Sequence, residues 1–85
     1  ETVTQIKLES GTEYYAGRAQ DAHIRLDQGK GISRQHLKLY ERDGVWVCES
    51  LSKFTQIQRG GESLDVIELT DAAVFVVPPY EFHFE

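Results

Sequence analysis

With 85 residues, 40% apolar and 27% charged, the chain has room for one hydrophobic core and a single domain spanning 1–85. Its net charge of −5 argues against nucleic acid or an anionic membrane as a partner. No apolar run approaches the roughly 20 residues that cross a bilayer, and no signal-peptide pattern opens the chain.

In chain order, periodicity favours strands almost throughout. Residues 3–8 alternate, with Ile6 and Leu8 set against Gln5 and Lys7. Ser10-Gly11 marks a turn, and residues 12–16 resume as a strand. Residues 23–26 form a short strand with Ile24 and Leu26 on one face. Two glycines within residues 27–31 oppose regular structure and make a loop. Residues 35–42 alternate again, with Leu37 and Leu39 inward and Lys38 and Tyr40 outward. Asp43-Gly44 is the strongest hairpin signal, joining this strand to residues 45–48. A short strand follows around Ile57, then a turn at Gly60-Gly61. Residues 62–72 approximate helical spacing through Leu64, Ile67 and Leu69, but read better as irregular or extended. The apolar run 73–77 has the pattern of a strand covered on both faces, stopped by Pro78-Pro79. Tyr80, Phe82 and Phe84 then alternate with polar residues, as in a half-buried strand. Short strands with turns every 8 to 12 residues point to an all-β sandwich or barrel.

Cys48 is the only cysteine, which excludes an internal disulfide and a cysteine-rich zinc site. Beside Trp46 and Val47 it reads as a small strand hydrophobe rather than a reactive thiol. A lone thiol fits a reducing compartment, so a cytoplasmic location is expected, with no direct membrane contact by this domain. The absence of Met is the expectation for a module excised from a larger protein, which could itself be membrane-attached. Arg18, Lys30, Arg34, Lys53 and Arg59 all fall in or beside loops. A basic loop surface on an acidic body suits a compact anion, although each charge taken alone is an ordinary solvated loop residue. No Gly-rich phosphate loop, paired carboxylates or Ser-His-Asp constellation stands out, so no catalytic residue, metal or cofactor is expected and the chain does not read as an enzyme.

Three segments in order carry a family resemblance. They are Ala16-Gly17-Arg18 followed by Asp21-Ala22-His23-Ile24-Arg25-Leu26, then Ile32-Ser33-Arg34-Gln35-His36-Leu37, and then residues 45–60. The first is similar to a Gly-Arg, Asp-x-x-Ile-x-Leu pattern and the second to Ser-Arg-x-His. The third, leading through Glu49 to Gly60, is similar in length to an Asp-Leu-x-Ser-x-Asn-Gly-Thr-x-Val-Asn-Gly segment. Together they resemble the forkhead-associated family. That resemblance implies a β-sandwich of about eleven short, mainly antiparallel strands, with loops at one end that bind phosphothreonine peptides.

A phosphothreonine presents nearly two negative charges and three acceptor oxygens. Guanidinium offers a planar fork of donors that never loses its proton. The resemblance carries phosphate contact onto Arg18 and Ser33, and phosphate or peptide-backbone contact onto Arg34. For Ser33, a hydroxyl bond to its own turn is a coexisting role. His36 invites a catalytic or metal reading, but no second His lies at ligand spacing. The resemblance gives it a bracing role, with Gly17 and Gly60 as further structural positions.

The third segment departs from the pattern. Ser52 matches the family serine, but Lys53, Phe54 and Thr55 replace the usual Thr or Ser, Asn and Gly. Phe54 has no polar atom with which to hold a peptide backbone; its ring either packs on a ligand side chain or folds inward as core. Lys53 adds an ammonium donor. The implied function is a phosphothreonine-peptide-binding signalling or interaction module. Its partner would be a phosphorylated protein or a phosphorylated segment of the same parent, with Arg18, Ser33, Arg34, Ser52, Lys53 and Phe54 in contact. The alternative is a degenerate, phosphate-independent scaffold or assembly domain, as in a bacterial secretion or signalling protein.

Overall fold

The structure, a computed structural model, describes residues 7–26, 31–52, 55–70, 73–78 and 80–84. Its strands are β1 (Tyr14–Gly17), β2 (Ile24–Arg25), β3 (Leu37–Arg42), β4 (Val45–Ser50), β5 (Ile57–Arg59), β6 (Glu62–Leu64), β7 (Val66–Leu69), β8 (Val74–Val77) and β9 (Tyr80–His83). They form a five-stranded sheet, ordered β2-β1-β3-β4-β7, and a four-stranded sheet, ordered β6-β5-β8-β9. All pairings are antiparallel except β1 with β2.

Nine strands are formed among the described residues, fewer than the eleven implied by resemblance. The strand expected over residues 3–8 lies mostly outside the described residues, and Lys7 and Leu8 carry no strand pairing. Residues 62–72 break at Asp65, so β6 joins one sheet and β7 the other. That split explains the ambiguous spacing of Leu64, Ile67 and Leu69: the three face one core from two sheets.

The core forms where the inward rows meet. Leu37, Leu39, Cys48 and Ile67 come from the first sheet, and Ile57, Phe75 and Val77 from the second. Each such side chain contributes about 1.5–3 kcal/mol on burial. The Phe75 and Phe82 rings stack across the β8–β9 pair with centroids 5.0 Å apart. The apolar run at 73–77 is not covered on both faces. Phe75 and Val77 point inward, while Val74 is 43% exposed opposite His83. An outer position facing solvent tolerates Val, and the period of two survives beneath an all-apolar sequence.

The predicted hairpin at Asp43-Gly44 is present, and the predicted turn at Gly60-Gly61 is a hairpin too. Arg42 pairs with Val45 across Asp43 (φ 53°) and Gly44 (φ 79°), and Arg59 pairs with Glu62 across Gly60 (φ 59°) and Gly61 (φ 84°). Positive φ at both central residues is the type I′ turn, whose twist matches that of the flanking strands. Cys48 is fully buried, and desolvation pushes its thiol up to about 12. Among the described residues, no helix is long and apolar enough to cross a membrane, and no cluster of His, Cys, Asp or Glu could hold a metal.

Candidate functional site

At one end of the five-stranded sheet, the C-terminal ends of β1 and β4 meet the N-terminal ends of β3 and β7. The segment after β1 and the 31–36 loop are sewn together main chain to main chain. Arg18 N–H donates to the Ser33 carbonyl (3.0 Å), and Ala19 N–H donates to the Arg34 carbonyl (3.1 Å). On its other side Gly17 accepts from Leu26 N–H (2.7 Å). Gly17 has no room for a side chain, because a Cβ there would lie 2.1 Å from the Arg34 carbonyl oxygen. The Gly-Arg pair therefore has a packing reason: glycine permits the close approach, and the next residue emerges beside Ser33 and Arg34.

His36 lies under this junction and is fully buried. Its Nδ1 accepts from Ser33 N–H (2.9 Å), so the neutral ring carries its proton on Nε2 and donates it to the Thr55 carbonyl (2.7 Å). One imidazole thus fastens the 31–36 loop to the loop that follows β4. Its main chain continues the tie: His36 N–H donates to the Ala16 carbonyl (2.8 Å), and Leu51 N–H donates to the His36 carbonyl (2.8 Å). Thr55 was expected only as a departure from the pattern, yet its carbonyl is where the brace ends. Gly31, at φ 85°, passes so close to Thr55 that a Cβ would lie 2.9 Å from its Oγ1. No local spacing in the sequence points to either contact, since His36 and Thr55 are 19 positions apart.

Arg18 and Arg34 are exposed, and Ser33 is half-buried between them in the chain path. Among the described residues neither arginine has an ion pair. Two exposed cations on segments joined main chain to main chain, with no ion pair among the described residues, make a receptive surface for an anion. Ser52 is buried, and its carbonyl accepts from Ser50 Oγ (2.9 Å), which puts it in the base of its loop. Lys30, Lys53 and Phe54 lie outside the described residues. Arg59 does not join the site; β5 carries it away from Thr55 toward the Gly60-Gly61 turn. Gly60 likewise serves that turn and not the loops. An open hollow between Gln58, Arg59, Ser63 and Val76 is also at that far end.

The comparisons agree with this architecture. A structure of the FhaA FHA domain complexed with the intracellular domain of Rv3910 is 26% identical, with a TM-score of 0.74 over 89% of this chain and 81% of that one. The FHA domain of the CT664 protein from Chlamydia trachomatis is 31% identical, with a TM-score of 0.67 over 82% and 71%. A structure from a structural and functional analysis of phosphothreonine-dependent FHA domain interactions is 28% identical, with a TM-score of 0.71 over 87% and 75%. A search of curated protein sequences returns no match. The family model for the FHA domain matches residues 14–77, from the first strand of the sewn end to the last core valine, and the chain belongs to that family.

Proposed function

We propose that this domain binds phosphothreonine-containing segments of other proteins, or of its own parent chain, through the braced end of the five-stranded sheet. The observation that carries the proposal is the pair of exposed arginines, Arg18 and Arg34, held by main-chain bonds on either side of Ser33. Arg18 offers the guanidinium fork, Ser33 a hydroxyl donor, and Arg34 a second charge to the phosphate or the peptide backbone. Gly17 and His36 set the spacing, so the donors are placed before the ligand arrives and little ordering entropy is lost on binding. Ser52, buried in the base of the loop that follows β4, supports that loop from beneath. Family membership supports binding over catalysis, as FHA domains are binding modules. A similar domain solved in complex with the intracellular domain of another protein supports a protein ligand.

Arg18→Ala is expected to lower affinity for a phosphothreonine peptide library about ten- to a hundredfold, the loss of a charge-assisted bond of about 1.5–3 kcal/mol. Titration with free phosphothreonine should shift amides at Arg18, Ser33 and Arg34 in NMR spectra. Silence at millimolar phosphothreonine, with a protein partner still bound, would favour the phosphate-independent scaffold suggested by Lys53-Phe54-Thr55.

A further inference from the structure

The five-stranded sheet ends at β7, and among the described residues no strand pairs with its outer side. The register defines what that side presents. Ser50 N–H donates to the Asp65 carbonyl (2.6 Å), so Ser50 and Asp65 are a hydrogen-bonded pair. Alternation in an antiparallel ladder then turns the N–H and C=O groups of Ile67 and Leu69 toward Cys48 and Trp46. The N–H and C=O groups of Val66 and Glu68 point away from the sheet. Their side chains are exposed too, Val66 at 45%. Thr70 closes the open stretch, because its carbonyl accepts from Ala73 N–H (3.1 Å).

Charge decides what fits. Glu68 lines the outer face of the edge, Glu49 sits directly across from Val66 on β4, and Asp65 just before the strand accepts from Gln56 Nε2. The nearest cation along that row, Lys38 on β3, is paired with Glu13 (3.5 Å). Charged residues on an edge strand are a recognised guard against sheet-to-sheet association. Here they guard selectively: a second copy would bring further carboxylates to the edge and no cation, whereas a basic strand would meet complementary charge.

We infer that β7 accepts an extended, basic segment of a partner protein as an added sixth strand, bonded through the main-chain groups of Val66 and Glu68 and held by charge at Glu68, with Glu49 on the neighbouring strand. A lysine or arginine of the added strand stands opposite Glu68, and an apolar residue stands opposite Val66. The surface is separate from the Arg18–Ser33–Arg34 loops and needs no phosphate.

The test titrates the isotope-labelled 85-residue chain with an acetylated, amidated threonine-based peptide that carries lysine and valine two residues apart on one face, and with a counterpart in which glutamate replaces lysine as control. The lysine peptide should shift the Val66 and Glu68 amides and slow their hydrogen exchange, and the glutamate peptide should not. Glu68→Lys should weaken binding about fivefold. Val66→Pro removes an outward N–H that β4 does not use, so it should abolish the protection at Glu68 while the fold survives. Arg18→Ala should leave the titration unchanged, so this inference stands or falls apart from phosphothreonine binding. No shift at Val66 and Glu68 with millimolar lysine peptide, equal shifts with both peptides, or binding unaffected by Val66→Pro would each overturn it.

Discussion

The two ends of the sandwich use glycine for opposite reasons. At the braced end Gly17 is needed for space: a Cβ would run into the Arg34 main chain. At the far end Gly44, Gly60 and Gly61 are needed for conformation, since each has positive φ and a Cβ there would meet nothing within 4 Å. One end is held by contacts between segments distant in sequence, and the other by turns that close on themselves. A local turn tolerates replacement at the cost of a backbone preference, whereas the sewn junction loses packing and hydrogen bonds together.

Substitutions should separate the two ends by size of effect. His36→Ala removes the partner of the half-buried Ser33 N–H and Thr55 carbonyl and leaves a void, so denaturant unfolding should show a loss of about 3–4 kcal/mol. Gly17→Ala should cost about 2–3 kcal/mol by the same measurement and weaken phosphothreonine binding as well, because relieving the clash moves Arg34. Gly60→Ala, at φ 59° in open space, should cost only about 1 kcal/mol and leave binding intact. If Gly60→Ala proved as damaging as Gly17→Ala, the distinction between the ends would collapse.

Cys48, behind both ends, should give the smallest effect near neutrality. With its thiol raised from 9.0 to about 12, the folded state keeps a proton that the unfolded chain releases. Its contribution to stability is therefore full below about pH 9 and is lost as pH rises toward about 12. A thiol reagent at pH 8 should label the unfolded chain and spare the native one.

Much of this was legible in short windows. Asp43-Gly44 and Gly60-Gly61 sit at type I′ turns because two adjacent positive φ values select Asp or Asn and Gly from any sequence. Alternation located most of the strands, since a face buried every second residue leaves a trace in the chain itself. The Ser-Arg-x-His run pointed to the loops, and His36 does brace them. Lys53 and Phe54, on which the departure from the family pattern turns, lie outside the described residues.

What local pattern could not decide was long-range. The clash that makes Gly17 indispensable comes from Arg34, and the acceptor that completes the His36 brace is a main-chain carbonyl, which any residue at position 55 would supply. The solvent face of β8 was hidden because valine fits either side of a strand. The free edge of β7 likewise exists only once its partner strand is known, because which N–H and C=O groups point outward depends on register. By itself the sequence determined the strands, the tight turns and the residue types able to hold an anion. The tertiary structure decided which of those residues stand together and which backbone groups remain open, because both depend on contacts between residues far apart in the chain.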